Sequence, residues 1–414
     1  MEGSMEGSVE ARAMEAGPTT EAGGGPPGWV YTARDLYLVA MAVFVVNIVI
    51  GILNGADVVE FDRNQILTHV HAGTVGWLTL TIVASMFLLF QAADRRLMLA
   101  LAVLVPIYVL AFYTGDLTFR AIGGVALLIA VIWLLAWVWR TYLAGERTLP
   151  RLAVVFGLTT FGYGALIGVL LQVSFARGIV LLPGDAIGAH AGAMTFGYLV
   201  LVAMGFIEYR VLGTRGLPRA GLVQMGALFL GGLIISISLL AGQEQAGGGI
   251  YLLTQLVAVV LFVWRIWPTS LRIDWASGAP VRHFGIASLW VVLALGLFMY
   301  LVFTFIGSGS LPTNVLIASD HSAYIGIVTN IALGFLTALV LRADVRRGWV
   351  GQLIFWGVNL GLIVFAIGLI LDSAVIKRIG APVMGITLLI SLAILAWAAV
   401  REPLEATEAD LATA

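Results

Sequence analysis

Thr68–His69–Val70–His71–Ala72–Gly73–Thr74–Val75–Gly76–Trp77–Leu78 puts two histidines, two residues apart, at the head of a hydrophobic run that continues to about Gln91. Imidazole is costly in hydrocarbon unless something binds it, so an ionisable residue inside a spanning helix is by default a functional one. The chain has five histidines. Four of them, His69, His71, His190 and His321, lie near the starts of apolar runs.

Working outward, the whole chain has the composition of that stretch. Of its 414 residues 60% are hydrophobic and 11% charged, with a mean hydropathy of +1.02. A soluble domain is normally about 25% charged, so this is a polytopic membrane protein in contact with lipid. The absence of cysteine excludes disulfides, thiolate metal sites and cysteine-bound haem or iron–sulfur clusters. There is no phosphate-binding loop, nucleophile triad or nucleic-acid-binding patch. The MEGSMEGS repeat and the Gly/Pro-rich GGGPPG read as a disordered tail. The expected organisation is a disordered cytoplasmic tail over 1–30, a twelve-helix transmembrane domain over 31–403, and a short cytoplasmic tail over 404–414.

A spanning helix needs about 20 mostly apolar residues. Twelve runs qualify, at roughly 34–54, 66–91, 95–114, 118–142, 150–176, 184–212, 219–241, 247–268, 282–307, 315–342, 348–371 and 379–401. With the N-terminus inside, 17 arginines face the cytoplasm, and Arg63, Arg120, Arg177, Lys377 and Arg378 face outward. That asymmetry puts both termini in the cytoplasm of a bacterial-type inner membrane. These four histidines lie on the second, sixth and tenth runs, so each of those runs enters from the outer face. Each lies four runs after the last, with 119 residues from His71 to His190 and 131 from His190 to His321.

Local sequence repeats with the same period. His69 precedes Gly76–Trp77–Leu78 by seven residues, as His190 precedes Gly197–Tyr198–Leu199. His71 precedes Gly76 by five residues, as His321 precedes Gly326. Three equivalent four-helix units are therefore expected. A porphyrin held between helices needs inward imidazoles, small residues beside the disc, and cations at the water interface for its propionates. Ala72, Gly73, Gly188, Ala189, Gly192 and Ser322 are small residues near the histidines, although small residues also serve helix packing. Lys377 and Arg378 are suitable propionate partners, or an ordinary interfacial cation pair.

Twelve helices with histidines at the outer ends of the second, sixth and tenth resemble the catalytic subunit of the haem-copper oxidase superfamily. HVHAGTVGW is similar to the haem-ligand helix of the cytochrome cbb oxidase and nitric oxide reductase branches, and of NnrS-type relatives. The resemblance implies an all-α membrane fold of three pseudosymmetric four-helix arcs. It also implies haem b between His71 and His321, a metal ligand at His190, and propionates held by Lys377 and Arg378. An electron donor such as a quinol or a cytochrome would follow, with a redox or nitric oxide-related role and, in an enzyme, an oxidoreductase. The seventh run has no histidine and the tenth has only His321, so the family's three-histidine copper centre cannot be assembled.

A site of up to four histidines remains. His69 and His71 point about 200° apart on a helix, so they cannot face one iron along the same line. One or two haems are compatible with that, as is a metal at His190 with His69, with Met194 a further ligand or simply packing. His283 reads as an interfacial histidine, and Ser319 or Asp320 as a helix cap or as a group that helps orient the site, the structural role being the expected one. Asn47, Gln224, Asn330 and Asn359 read as interhelical amides. No carboxylate chain crosses the membrane, which argues against a proton pump. A twelve-helix solute transporter, a non-catalytic haem- or metal-handling protein or gas sensor, and a homo-oligomer all stay open.

Overall fold

The computed structural model describes residues 26–401 and Leu404; apart from 26–30 and Leu404, the expected tails lie outside the described residues. Twelve of its helices are long and apolar enough to cross a membrane. They are α1 (Gly28–Gly55), α2 (Arg63–Phe90), α3 (Arg95–Thr114), α4 (Leu117–Ala144), α5 (Leu149–Arg177), α6 (Ala186–Leu212), α7 (Arg219–Leu240), α8 (Glu244–Ser270), α9 (Val281–Ser308), α10 (Thr313–Val340), α11 (Trp349–Ile370) and α12 (Ala374–Arg401). All twelve expected runs are present. The largest boundary difference at the start of the chain is in α1, which begins at Gly28, so Gly28–Val30 are helix and not tail. Val30 is fully buried and Thr32 Oγ1 donates to the Gly28 carbonyl at 3.0 Å, which holds that first turn in place.

Helices are the expected answer in hydrocarbon, where each backbone polar group must find its partner within the segment. The chain marks several starts with aspartate. Asp62, Asp94, Asp116 and Asp185 each accept hydrogen bonds from backbone N–H groups in the first turn of α2, α3, α4 and α6. Asp62 and Gln65 form a reciprocal capping box at the head of α2.

Burial divides the helices into two groups. The apolar windows of α2, α6 and α10 are 83, 78 and 94% buried, against 28–56% for the other nine. The three helices that carry His69, His71, His190 and His321 therefore form the centre, and the rest surround them. Sequential helices pack side by side, and α12 packs against α1.

Each central helix also departs from α geometry in its middle. Ala72–Thr79 in α2, Thr195–Val200 in α6 and Ser322–Thr329 in α10 are wound as π-helix. Thr79 and Thr329 mark the wider turn with side-chain bonds to the carbonyls five residues back, Thr74 and Tyr324. The π segments of α2 and α6 both touch that of α10. Trp77 Nε1 donates to Thr329 Oγ1 at 2.8 Å across this contact. Wide turns of this kind recur at functional sites in helices, and in α2 and α10 they begin immediately after His71 and His321.

Candidate functional site

The four central histidines are held by one device. In each, Nδ1 lies against a backbone carbonyl: His69 with Asn47 at 2.9 Å, His71 with Leu67 at 2.8 Å, His190 with Gly164 at 2.8 Å and His321 with Ile317 at 2.9 Å. A carbonyl only accepts, so Nδ1 carries the proton in every case and Nε2 keeps its lone pair. This is how metal-ligating histidines are usually oriented. None of the four rings is fully buried, and no hydrogen bond reaches any Nε2 among the described residues.

The carbonyls divide the histidines into two kinds. His71 and His321 bond their own helix four residues back. His69 and His190 bond the preceding helix, α1 or α5. Four residues beyond each accepting carbonyl is a glycine on which the ring lies. A Cβ on Gly51 would come within 3.0 Å of His69 Cε1, and one on Gly168 within 2.8 Å of His190 Cε1. Asn47 grips His69 a second time, donating from Nδ2 to its carbonyl at 2.5 Å.

A glycine follows the anchored side chain on each central helix. Gly76, Gly197 and Gly326 leave room for Val43 of α1, Thr160 of α5 and Trp290 of α9 respectively. Seven residues before Gly326 stands Ser319, whose Oγ donates to the Ala294 carbonyl on α9 at 3.1 Å. Ser319 is thus bonded to the preceding helix, as His69 and His190 are, and it is not a helix cap. The rule of seven residues before the glycine already contained this signal, and it was missed because serine is not a ligand type.

The pairing of rings differs from the pairing the resemblance implied. His321 has its ring contact with His69, at a centroid separation of 6.5 Å and an interplanar angle of 24°. His71 instead stacks on Phe112 of α3, at 3.7 Å and 14°, and lines a cavity with His190. The physical reason is the opposed directions of residues two apart on a helix. Once Asn47 draws His69 toward α1 and α10, His71 must turn toward α3.

Two imidazoles sharing one metal through Nε2 have centroids roughly 6 Å apart, from two bonds of about 2 Å and the half-width of each ring. The His69–His321 separation agrees with that. The tautomers, the spacing and the glycine beneath His69 all fit a bis-histidine metal group. A copper centre of the oxidase kind does not fit. The described residues of α7 contain no histidine, and no group of three or more His, Cys, Asp or Glu side chains comes together among the described residues.

Lys377 and Arg378 both bind Asp57, at 2.8 Å from Nζ and 2.8 Å from Nε. Asp57 follows Gly51 by six residues, so this ion cluster lies on the order of 9 Å beyond the His69 ring along α1. Phe365 links the levels: it meets His321 edge-on at 5.0 Å and packs beside Gly55 and Gly380. The two cations stand above the histidine pair with their charge shared by one aspartate.

His283 is packed inside the protein. It is 2% exposed, with Nδ1 3.4 Å from Asn330 Oδ1 and its ring edge-on to Phe355. Asn330 and Asn359 exchange two amide bonds of 3.0 Å, and Trp290 Nε1 donates to Asn359 at 2.9 Å. Near the other end of α6, Glu208 is fully buried and paired with Arg265, which also donates to Gln224 at 3.0 Å. Met194 lines the cavity that holds His71 and His190 and sits beside Gly164.

No protein-family model matches the chain, and no curated protein matches it.

Proposed function

We propose that this is a haem b-binding integral membrane protein, organised like the haem-copper oxidase catalytic subunit but without its copper centre. The observation that carries this reading is the His69–His321 pair. Two imidazoles from central helices stand 6.5 Å apart with both Nδ1 atoms occupied by carbonyls. The haem ligands are therefore assigned to His69 and His321, in place of His71 and His321. A bound haem supplies one-electron exchange at its iron. The chain orients both imidazoles through the Asn47 and Ile317 carbonyls. It also provides Lys377 and Arg378 as cations above the pair.

In this reading the twelve helices form three pseudosymmetric arcs, α1–α4, α5–α8 and α9–α12. The recurrence of glycine, π turn and anchored side chain in α2, α6 and α10 supports that grouping. Both termini lie in the cytoplasm of a bacterial-type inner membrane, as the arginine distribution indicates, and the histidines sit toward the outer face. The role is redox or nitric oxide-related, with a quinol or cytochrome as donor.

The test is an optical spectrum and haem quantitation of protein purified after haem-replete expression. The expected result is a b-type spectrum with a low-spin component that His69→Ala and His321→Ala abolish and His71→Ala retains. A protein that binds no haem rejects the proposal. Loss of the low-spin signal with His71→Ala but not with His69→Ala rejects the ligand assignment.

A further inference from the structure

A cavity of about 940 Å³ lies between α2, α3, α4, α5 and α6, bordered by His71 and His190 and apart from the His69–His321 pair. One of its walls is a single face of α4, where Arg120, Gly124, Leu127, Leu128 and Val131 follow one another at helical spacing. From Arg120 to Val131 the helix rises about 16 Å. Arg120 stands in the first turn of α4 and Val131 at the middle of that helix, so the cavity runs from the membrane edge to the midplane. That is the depth of one leaflet, half of a hydrocarbon core of about 30 Å. At the Arg120 end, Phe175, Ile179 and Ile187 are wall residues that are also exposed, which opens the rim to surrounding lipid.

Arg120 sets the charge at this mouth. It is 4% exposed. Its Nη2 donates to Asn64 Oδ1 at 2.7 Å and to the Phe112 carbonyl at 2.9 Å, and its Nε to the Ala111 carbonyl at 3.3 Å. All three acceptors are neutral, and Nη1 donates to nothing among the described residues. No carboxylate pairs with Arg120 there either. A buried cation without an anion is costly, and a guanidinium presents its donors as a fork that matches carboxylate or phosphate. Arg63, at the head of α2, borders the same space. Asp185 is the one carboxylate among the described wall residues, and it is engaged in capping α6, accepting from the Gly188 N–H at 2.9 Å. The cavity therefore suits an acidic head at its mouth and a hydrocarbon chain one leaflet long beneath it.

We propose that this cavity binds the chain of an anionic amphiphile, with its carboxylate or phosphate on Arg120 and Arg63 and its hydrocarbon along Gly124, Leu127, Leu128 and Val131. The membrane supplies such molecules as free fatty acids or as one chain of an acidic phospholipid, in the outer leaflet for the orientation proposed above. Phe112 has a positioning role, since the Arg120 guanidinium covers its ring at 4.7 Å while the ring stacks on His71. The inference uses neither His69 nor His321 and does not rest on a bound haem.

The test is equilibrium binding of radiolabelled palmitate to the purified full chain, with hexadecanol as a neutral chain of the same length and the melting temperature as the check on folding. Wild type is expected to bind one palmitate per chain, and hexadecanol about tenfold or more weakly. Arg120→Gln is expected to weaken palmitate binding by about tenfold or more. Ala191 is an exposed wall residue on α6, and Ala191→Trp, which fills the cavity, is expected to abolish binding while keeping the melting temperature of the ligand-free protein. Displacement of palmitate by phosphatidylglycerol assigns the site to a phospholipid chain, and palmitate retained against it assigns the site to a free fatty acid. A wild type that binds neither molecule overturns the proposal, as does palmitate binding undiminished in both variants. Hexadecanol bound as tightly as palmitate overturns it too, because the head then needs no charge. None of these readouts involves haem, so failure here leaves the reading of the His69–His321 pair standing, and a chain that binds no haem leaves this one standing.

Discussion

Replacing Gly51 by alanine tests the proposed haem site without touching a proposed ligand. A Cβ there would stand 3.0 Å from His69 Cε1, where carbon contacts settle at about 3.5–4.0 Å. The ring must therefore move by about 0.5 Å. It cannot move freely, because Nδ1 is tied to the Asn47 carbonyl at 2.9 Å and Asn47 also holds the His69 backbone. The displacement falls on Nε2, the atom that must stay about 2 Å from the metal. Overpacking of this size costs about 1–3 kcal/mol, and each 1.4 kcal/mol is about tenfold in affinity. Haem affinity should fall about 10–100-fold, the range seen when a partner that orients a metal ligand is disturbed. Loss of the fold is not expected, since alanine favours helix over glycine by up to about 1 kcal/mol. The assay is haemin titration of apoprotein, followed by the low-spin absorption bands. Gly226→Ala is the control, because nothing lies within 4 Å of a Cβ at that position. If Gly51→Ala binds haem as tightly as Gly226→Ala while His69→Ala does not bind it, the steric reasoning is refuted.

Three further outcomes follow from contacts outside the histidine pair. Lys377 first and Arg378 second hold the Asp57 carboxyl below its ordinary value of 3.8, so its contribution to stability is present above that value and fades as pH falls through the lowered one. The melting-temperature difference between wild type and Asp57→Asn should therefore be constant from about pH 5 upward and shrink below about pH 4; a difference that grows on acidification contradicts this. Arg265→Met leaves Glu208 buried without its cation and should destabilise the protein by about 3–5 kcal/mol, with Glu208→Gln/Arg265→Met costing less. Denaturation in detergent distinguishes the two, and a double variant worse than the single one would count against a buried charge as the cause. Asn359→Leu removes the partner of both Asn330 and Trp290 Nε1 and should lower stability by about 1–3 kcal/mol, whereas an unchanged melting temperature would mean that water replaces the amide.

How far the chain could be read in advance depends on which contacts are local. The twelve helices follow from hydrophobic runs, because a segment in hydrocarbon must satisfy its own backbone and little else competes with helix. The matched spacing of His69 and His190, and of His71 and His321, from the glycine that follows was also legible. Their distances to Gly76, Gly197 and Gly326 are covalent facts, and the structure gives the members of each pair the same kind of anchoring carbonyl. Which histidine faces which was not legible. Rotation of α2 about its axis is set by Asn47, by Phe112 and by the π turn starting at Ala72, and the first two of these reach it from other helices. A π turn also breaks the 3.6-residue period, so a face projected along an ideal helix from the head of α2 points the wrong way beyond it.

The same physics leaves the glycines and Arg120 without a sequence signature, whereas Lys377 and Arg378 have one. A glycine beside a histidine in sequence draws the eye, but Gly51 and Gly168 matter because they lie under rings from the next helix, a relation with no short sequence signature. Arg120 reads as one of five outward cations, the class that normally sits in water. The structure instead folds it back over Phe112 onto neutral acceptors beside a cavity. Lys377 and Arg378, chosen from sequence for their charge, already have Asp57 as counterion. A ligand carboxylate near α12 must therefore share its cations with a protein carboxylate, whereas one near α4 meets a buried cation with none. By that asymmetry, Asp57→Asn should tighten haem binding at the His69–His321 site in a titration at neutral pH and leave palmitate binding in the cavity beside Arg120 unchanged. If the variant weakens the first site, Asp57 supports the two cations by holding them in place and does not compete for them.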